Sequence, residues 1–144
     1  MALICDTSGI CALYDVDDGQ HEATRRIVER ETGSLFLPVV LLAEIDCLLQ
    51  SRLGADAALD FIEAVANDEF KLIPLTLTLP DLERCVELLT QYRDLEIGLS
   101  DATVVAAAER PLTARLLSHD QRHFRAIQPR GLNHFILLPA DYEP

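Results

Sequence analysis

Short apolar runs alternate with longer amphipathic segments along the chain. The apolar runs are about three or four residues long, as expected for strands of a parallel sheet that are covered on both faces. The amphipathic segments repeat apolar residues every three or four positions, which is typical of helices that pack on a core. The pattern predicts strands at 2–5, 35–37, 70–73, 114–117 and 135–137, and helices at 20–31, 38–53, 55–67, 78–90 and 101–110.

Turn and capping residues set several of these bounds. Pro38 is predicted to open the second helix, because proline is tolerated in a first turn, and Gly54 is predicted to end it. Pro74 is predicted to end the third strand. Thr78 and Ser100 precede helical patterns and are predicted N-caps of the helices that follow them.

Strands that alternate with helices predict an α/β fold with a mainly parallel sheet. A length of 144 residues indicates a single domain spanning 1–144. In such sheets the functional groups lie beyond the carboxyl ends of the strands. Asp6 directly follows the first predicted strand, and Asp120 follows the fourth by three residues. Both carboxylates are therefore expected at the functional edge of the sheet.

The composition adds a strong negative charge to this picture. The net charge is −12, and 49% of the residues are hydrophobic, which excludes a disordered chain. A protein that grips nucleic acid through bulk positive charge is also excluded, but a metal-dependent enzyme is not. The C-terminal segment differs, because the chain from Arg110 onward has five basic and three acidic residues. All five bases are arginines, which indicates either a solvated face or a local phosphate-binding rim.

Membrane insertion and disulfide bonding are not predicted. The longest apolar stretch, 39–49, contains Glu44 and Asp46, and the first residues lack the basic region of a signal peptide. The four cysteines have neither metal-ligand nor redox spacing, and each lies in an apolar run where a small buried side chain is expected. We therefore expect a protein of the reducing cytoplasm.

Two further carboxylates are placed unlike surface acids. Glu44 borders the apolar stripe of the predicted helix 38–53, where a glutamate often reaches back to water. Asp101 begins a helix that is apolar almost all round, and it shares a face with Val104 and Val105. The helix dipole explains an acid in the first turn but not its inward direction. An ionised carboxylate that points inward needs a cation or several hydrogen-bond donors.

Asp6, Glu44, Asp101 and Asp120 come from four separate elements that the fold would bring to one edge. Asp6 also has an ordinary interpretation as a turn or cap residue, and Asp120 as a helix N-cap. Four clustered carboxylates repel each other unless a cation lies between them. Oxygen ligands favour Mg²⁺ or Mn²⁺ over zinc, and such a site is suited to phosphodiester hydrolysis.

The order and spacing of these motifs resemble the PIN-domain ribonucleases of the VapC toxin type. The matching pieces are the N-terminal strand into Asp6-Thr7-Ser8, LLAEIDCLL with Glu44, GLSDATVVAAAER with Asp101 and LLSHDQRHF with Asp120, and together they cover essentially the whole chain. The family commonly has threonine two positions before the last acid, where Ser118 keeps the hydroxyl. His119 stands where a small or apolar residue is usual, and we expect an exposed loop histidine there.

The resemblance implies a three-layer α/β/α fold with a five-stranded sheet in the order 3-2-1-4-5. It implies Mg²⁺- or Mn²⁺-dependent cleavage of single-stranded or looped RNA at Asp6, Glu44, Asp101 and Asp120. Thr7, Ser8 and Ser118 would supply supporting hydroxyls. A homodimer is also implied, as is an antitoxin partner whose C-terminal segment blocks the acidic groove. If the chain cleaves RNA as this resemblance implies, we expect RNA phosphates to be bound by Arg115, Arg122 and Arg125 of the basic C-terminal segment.

Two other functions remain as alternatives at this stage. An aspartyl-phosphate enzyme or receiver is disfavoured, because Ser8 stands where a phosphatase of this kind has a second aspartate, and Lys71 is the only lysine. A non-catalytic interaction module with the same fold is disfavoured by the four acids. Asp94 and Glu96 precede the Asp101 helix and could approach the metal, although loop acids usually do not.

Overall fold

Five parallel strands form one sheet in a computed structural model that describes residues 2–69 and 71–144. The strand order is β3-β2-β1-β4-β5, and every neighbouring pair is parallel. This order and the α/β class confirm the prediction. The strands are β1 (Leu3–Cys5), β2 (Leu35–Pro38), β3 (Leu72–Leu75), β4 (Arg115–Leu117) and β5 (Ile136–Leu138).

Helices cover both faces of the sheet. The chain moves outward from β1 to β3 and then returns to the other side of β1, so right-handed crossovers place the early and late helices on opposite faces. The helices are α1 (Thr7–Tyr14), α2 (His21–Arg30), α3 (Leu42–Leu53), α4 (Ala55–Ala66), α5 (Leu79–Gln91), α6 (Leu99–Glu109) and α7 (Gln121–Ala126). None of the helices described is long and apolar enough to cross a membrane.

Several predicted bounds are wrong at prolines and glycines. Pro38 ends β2 instead of opening a helix, and a 3₁₀ turn, Val39–Leu41, leads into α3. Pro74 lies inside β3, which tolerates it because β3 is an edge strand. Gly98 caps α6, so Ser100 is inside the first turn. The predicted strand at 70–73 includes Phe70, which lies outside the described residues.

The pattern did not predict two helices, α1 and α7, and α1 is the longer of them. It begins directly after Asp6 and contains Gly9, a poor helix former. A Cβ atom at Gly9 would lie 2.3 Å from the carbonyl oxygen of Leu117, so only glycine allows α1 to pack this closely on the end of β4. This close approach brings the loop after β1 and the loop after β4 together.

The core consists mostly of aliphatic side chains from the sheet and from α6. All residues from Ala102 to Ala108 are buried, which confirms the prediction that this helix is enclosed. Three of the four cysteines are buried as expected, but Cys47 is exposed. The reversal in strand order lies between β1 and β4, and the carboxyl ends of these two strands therefore define the crevice in which the candidate site lies.

Candidate active site

Asp6 is held at the end of β1 by two serine hydroxyls. Oδ2 of Asp6 accepts hydrogen bonds from Oγ of Ser118 at 2.8 Å and from Oγ of Ser8 at 3.0 Å. The same hydroxyls accept backbone N–H groups of the loop after β4, Ser118 from Asp120 and Ser8 from His119. The two loops are thus joined through one carboxylate, and the Asp6 side chain has a fixed direction.

Burial makes the ionised form of Asp6 less favourable. The residue is only 5% exposed, and this burial raises the pKa of its carboxyl from the ordinary 3.8 to about 6. The hydrogen bonds from Ser118 and Ser8 oppose the rise because they stabilise the ionised form, whereas the charge of Asp101 adds to it. Ionised Asp6 is therefore costly in the protein alone and would be favoured by a nearby cation.

Glu44 and Asp101 approach the same crevice from α3 and α6. Oγ of Ser100 donates a hydrogen bond to Oε2 of Glu44, which links the two helices. Asp101 accepts a hydrogen bond from the backbone N–H of Gly98 at 3.1 Å, so its side chain also caps the first turn of α6. Burial raises the pKa of Asp101, and the charges of Asp120 and Glu44 raise it further, while the Gly98 N–H and His123 oppose the rise.

Asp120 is the N-cap of α7, and it contacts a histidine that the sequence analysis did not single out. Oδ1 of Asp120 accepts the backbone N–H of His123 at 3.0 Å. Nδ1 of His123 lies 2.8 Å from Oδ2 of Asp120 and 3.5 Å from Oδ2 of Asp101. These three side chains can offer ligand atoms that all lie within 4.8 Å of one another. The signal that could have found His123 is its spacing, three residues after a helix-capping acid.

The four predicted carboxylates line one open cavity of about 330 Å³. Thr7, Ser8 and His119 line it too, together with Arg52 from the last turn of α3. The hydroxyl of Thr7 is buried and has no hydrogen-bond partner within the described part of the chain. Most of the residues that line the cavity are polar and five of them are acidic, as expected for a place that receives a cation and a phosphate.

Two of the three arginines predicted to bind RNA are held by acids outside the cavity. Arg115 stands at the start of β4, the end of the strand away from the crevice, and donates a 2.6 Å hydrogen bond to Glu31. Arg125 pairs with Asp141 at 2.7 Å. Charge counting could not reveal these partners, because each pair joins distant parts of the chain.

The structure also decides which of the other polar residues considered from sequence, His119, Asp94 and Glu96, belong to the cavity. His119 is half-buried rather than exposed, since its Nε2 atom lies 3.1 Å from Oγ1 of Thr24 on α2. Burial lowers the pKa of His119. Asp94 and Glu96 are exposed and are not among the described residues that line the cavity. His119 therefore belongs to the cavity wall, and the two loop acids do not.

Comparisons with known proteins agree with this architecture. The chain is 31% identical over 137 residues to ribonuclease VapC26 of Mycobacterium tuberculosis, which covers 95% of this chain and all of that protein. The crystal structure of VapC20 of M. tuberculosis, a sarcin–ricin loop cleaving toxin, superposes with a TM-score of 0.75. The VapC20 match has 23% identity and covers 82% of this chain and 89% of that one, and it shows the shared fold. No protein-family model matches. With 31% identity over nearly the whole of both sequences, and with the same fold as a VapC toxin, the chain belongs to the VapC family of ribonucleases.

Proposed function

We propose that this protein is a divalent-metal-dependent endoribonuclease and the toxin of a toxin–antitoxin pair. The observation that carries the proposal is the convergence of Asp101, Asp120 and His123, whose ligand atoms lie within 4.8 Å of one another beside Asp6 and Glu44. These groups come from separate elements, and folding brings like charges together at a free-energy cost that a bound cation offsets.

The donor set suits Mg²⁺ or Mn²⁺. Carboxylate oxygens dominate the cavity, and such ligands favour these ions, while an imidazole adds a donor that Mn²⁺ accepts more readily than Mg²⁺. Asp101, Asp120 and His123 would hold the ion, with Asp6 and Glu44 beside it. When bound, the ion supplies charge neutralisation of the phosphodiester and activation of water. The hydroxyl of Thr7, which has no hydrogen-bond partner among the described residues, is a further polar group that a ligand in the cavity can satisfy.

The residues around the carboxylates position them for this chemistry. Ser8 and Ser118 fix Asp6, and Ser100 holds Glu44. Without the ion, the contact of His123 Nδ1 with Asp120 fixes the orientation of that carboxylate. Hydrolysis adds water across one phosphodiester, breaks the bond from phosphorus to the 3′ oxygen, and leaves a 3′-hydroxyl and a 5′-phosphate. The ionised cavity acids are the available acceptors for the proton that the attacking water loses.

Of the arginines that we expected to contact RNA, Arg122 is the one retained in the proposal. Its side chain is exposed on α7, directly after Asp120 and Gln121, and no ion pair is found for it among the described residues. Arg115 and Arg125 are left out, because Glu31 and Asp141 already neutralise them. A phosphate contact at Arg122 would position the strand without reading its sequence.

Membership of a toxin family supports two further parts of the proposal. A cognate antitoxin would insert its C-terminal segment into the acidic cavity and so block it. A homodimer is supported by the exposed apolar side chains of Leu79, Leu82 and Val86, which follow one face of α5 at spacings of three and four residues. We place both partners and the chain in the cytoplasm, where four free thiols are stable.

The proposed activity is tested by measuring RNA cleavage and metal binding in two aspartate-to-asparagine variants, one inside and one outside the cavity. Asp101→Asn should abolish RNA cleavage and weaken Mn²⁺ binding by calorimetry. Asp94→Asn is the matched control, because this exposed acid lies outside the cavity, and it should leave both properties unchanged. The substrates should include a sarcin–ricin loop oligonucleotide, since VapC20 is described as cleaving that loop. Metal-dependent cleavage that survives in Asp101→Asn would refute the assignment.

A further inference from the structure

Arg52 is a cation inside an otherwise acidic cavity. It lies in the last turn of α3, and its side chain lines the cavity together with Glu44 and Leu48 of the same helix. These three residues follow one another at intervals of four, so they form one stripe along α3. Among the described residues that line the cavity, Arg52 is the only lysine or arginine. One face of α3 therefore connects the carboxylate cluster with an isolated positive charge.

The guanidinium of Arg52 has no partner within the part of the chain that the structure describes. Its side chain is exposed, and it forms neither an ion pair nor a hydrogen bond there. Most arginines of this protein do pair with acids, as expected at a net charge of −12. Those that form ion pairs are Arg25, Arg26, Arg84, Arg110, Arg115, Arg125 and Arg130. In a cavity lined by five acids, an unpaired guanidinium leaves its donors available to a ligand.

The distance along α3 determines which part of a substrate Arg52 can meet. Arg52 is eight residues after Glu44, and a rise of 1.5 Å per residue separates their backbones by about 12 Å. The Arg52 backbone therefore lies about two helical turns from that of Glu44, to one side of a phosphate held at the carboxylates. A phosphate further along the same strand is within its range. The favourable interaction of a basic residue with the helix C-terminus explains the residue type, but not why the side chain lines the cavity.

We propose that Arg52 binds an RNA phosphate that flanks the scissile phosphodiester, and so determines which linkage lies over the carboxylates. The inference rests on the proposed ribonuclease function. An arginine fork can donate two parallel hydrogen bonds to one phosphate, which fixes both its position and its orientation. In an acidic protein that repels RNA as a whole, a cation within the cavity also supplies local attraction where the strand must enter.

RNA binding by matched arginine variants tests this role. Affinities are measured in an Asp101→Asn background, which prevents cleavage, for Arg52→Gln, Arg52→Lys and Arg93→Gln. Arg93 is an exposed arginine without an ion pair in the described chain and outside the cavity, so its variant is the control. Loss of one charged hydrogen-bonding contact should weaken binding about tenfold in Arg52→Gln. Arg52→Lys should recover part of this loss, and Arg93→Gln should bind like the parent.

Single neutral phosphates in the RNA locate the contact. Oligonucleotides that carry one methylphosphonate at successive positions are compared on the parent and on Arg52→Gln. The parent should lose about tenfold affinity at one position near the cleaved linkage, and Arg52→Gln should show no further loss at that position. The salt dependence of binding should also fall by about 0.7 in slope, as for one phosphate contact on a single strand.

Two results would overturn the proposal. The first is unchanged RNA affinity in Arg52→Gln, and if copurification of a coexpressed antitoxin is lost at the same time, Arg52 is assigned to the protein partner instead. The second is a loss that adds to that of every methylphosphonate, which would indicate a general charge effect. RNA cleavage by the original protein is measured alongside, because its absence would refute the proposed function instead. Thermal melting should show that Arg52→Gln folds like the parent, since Arg52 has no ion-pair or hydrogen-bond partner among residues 2–69 and 71–144.

Discussion

Replacement of Asp6 by asparagine should stabilise the metal-free protein at neutral pH while it abolishes cleavage. Burial raises the pKa of this carboxyl from 3.8 to about 6, so folding favours its protonated form. Ionisation above pH 6 therefore opposes folding. Each pH unit between the folded and unfolded pKa values corresponds to about 1.4 kcal/mol, which gives a penalty of about 3 kcal/mol at pH 7.5.

The sign of the pH dependence follows from the direction of the pKa change. Below pH 4 the carboxyl is protonated in both the folded and the unfolded chain, and its penalty is absent. The penalty grows as the pH rises from 4 to 6 and is complete above the folded pKa. The asparagine side chain in the variant is neutral throughout, and its amide oxygen can still accept the hydroxyls of Ser8 and Ser118.

Urea unfolding followed by circular dichroism measures the difference. Both proteins are unfolded in EDTA at several pH values between 4 and 7.5, and the free energy of unfolding of the parent is subtracted from that of Asp6→Asn. The subtraction cancels the contributions of the other titrating groups to the free energy of unfolding, because both proteins share those groups. We expect a value near zero at pH 4 that rises to about 3 kcal/mol in favour of the variant at pH 7.5. A flat difference, or one that favours the parent as the pH rises, would refute the reasoning.

Bound divalent metal should reduce the stability difference between Asp6→Asn and the parent, because it stabilises the parent. An ion that binds only the folded parent stabilises it by about 2.7 kcal/mol at a hundred times its dissociation constant. Added Mn²⁺ should therefore cancel most of the advantage of Asp6→Asn at neutral pH. Equal stabilisation of both proteins would place the ion away from Asp6.

Three further substitutions test other parts of the site and fold. His123→Leu should weaken Mn²⁺ binding by about tenfold in calorimetry, whereas His123→Asn, which keeps a donor near Asp120, should lose less. Gly9→Ala should lower the free energy of unfolding by about 1–3 kcal/mol, because its methyl group meets the Leu117 carbonyl, and Gly19→Ala, which meets nothing within 4 Å, should not. Arg115→Ala should leave RNA affinity unchanged in a filter-binding assay, because Glu31 already neutralises this arginine, and a tenfold loss would return it to the RNA-binding surface.

Helix ends could be predicted from the sequence where the residues that determine them are close neighbours along the chain. Thr78 was predicted as the N-cap of α5, and the structure confirms it and adds the second hydrogen bond of a capping box, from the Thr78 backbone N–H to Asp81. Gly54 ends α3 with a φ of 98°, a backbone conformation that glycine adopts easily. Such features depend on residues within four positions of each other, so a sequence pattern can reveal them.

Local rules failed where distant parts of the chain meet. Helix α1 was not predicted, because Gly9 disfavours a helix locally, and the reason for the glycine is the approach to Leu117. Ser100 was predicted to be an N-cap, but its hydroxyl donates a hydrogen bond to Glu44, which is 56 positions away. Arg115 looked like a phosphate ligand until its pair with Glu31 was visible. Each error concerns a contact whose partner cannot be read from the neighbouring residues.

The sequence by itself determined the parallel α/β class, the strand order through its resemblance to the family, and the four carboxylates that line the crevice. Apolar periodicity and motif order carry this information, because secondary structure depends on local spacing and the ends of parallel strands share an edge. Only the tertiary structure decided which polar groups act together. His123 joined Asp101 and Asp120, Ser8 and Ser118 converged on Asp6, and Arg52 entered the cavity. The physical reason is that hydrogen bonds and charge interactions act over a few ångströms in space, whatever the separation along the chain.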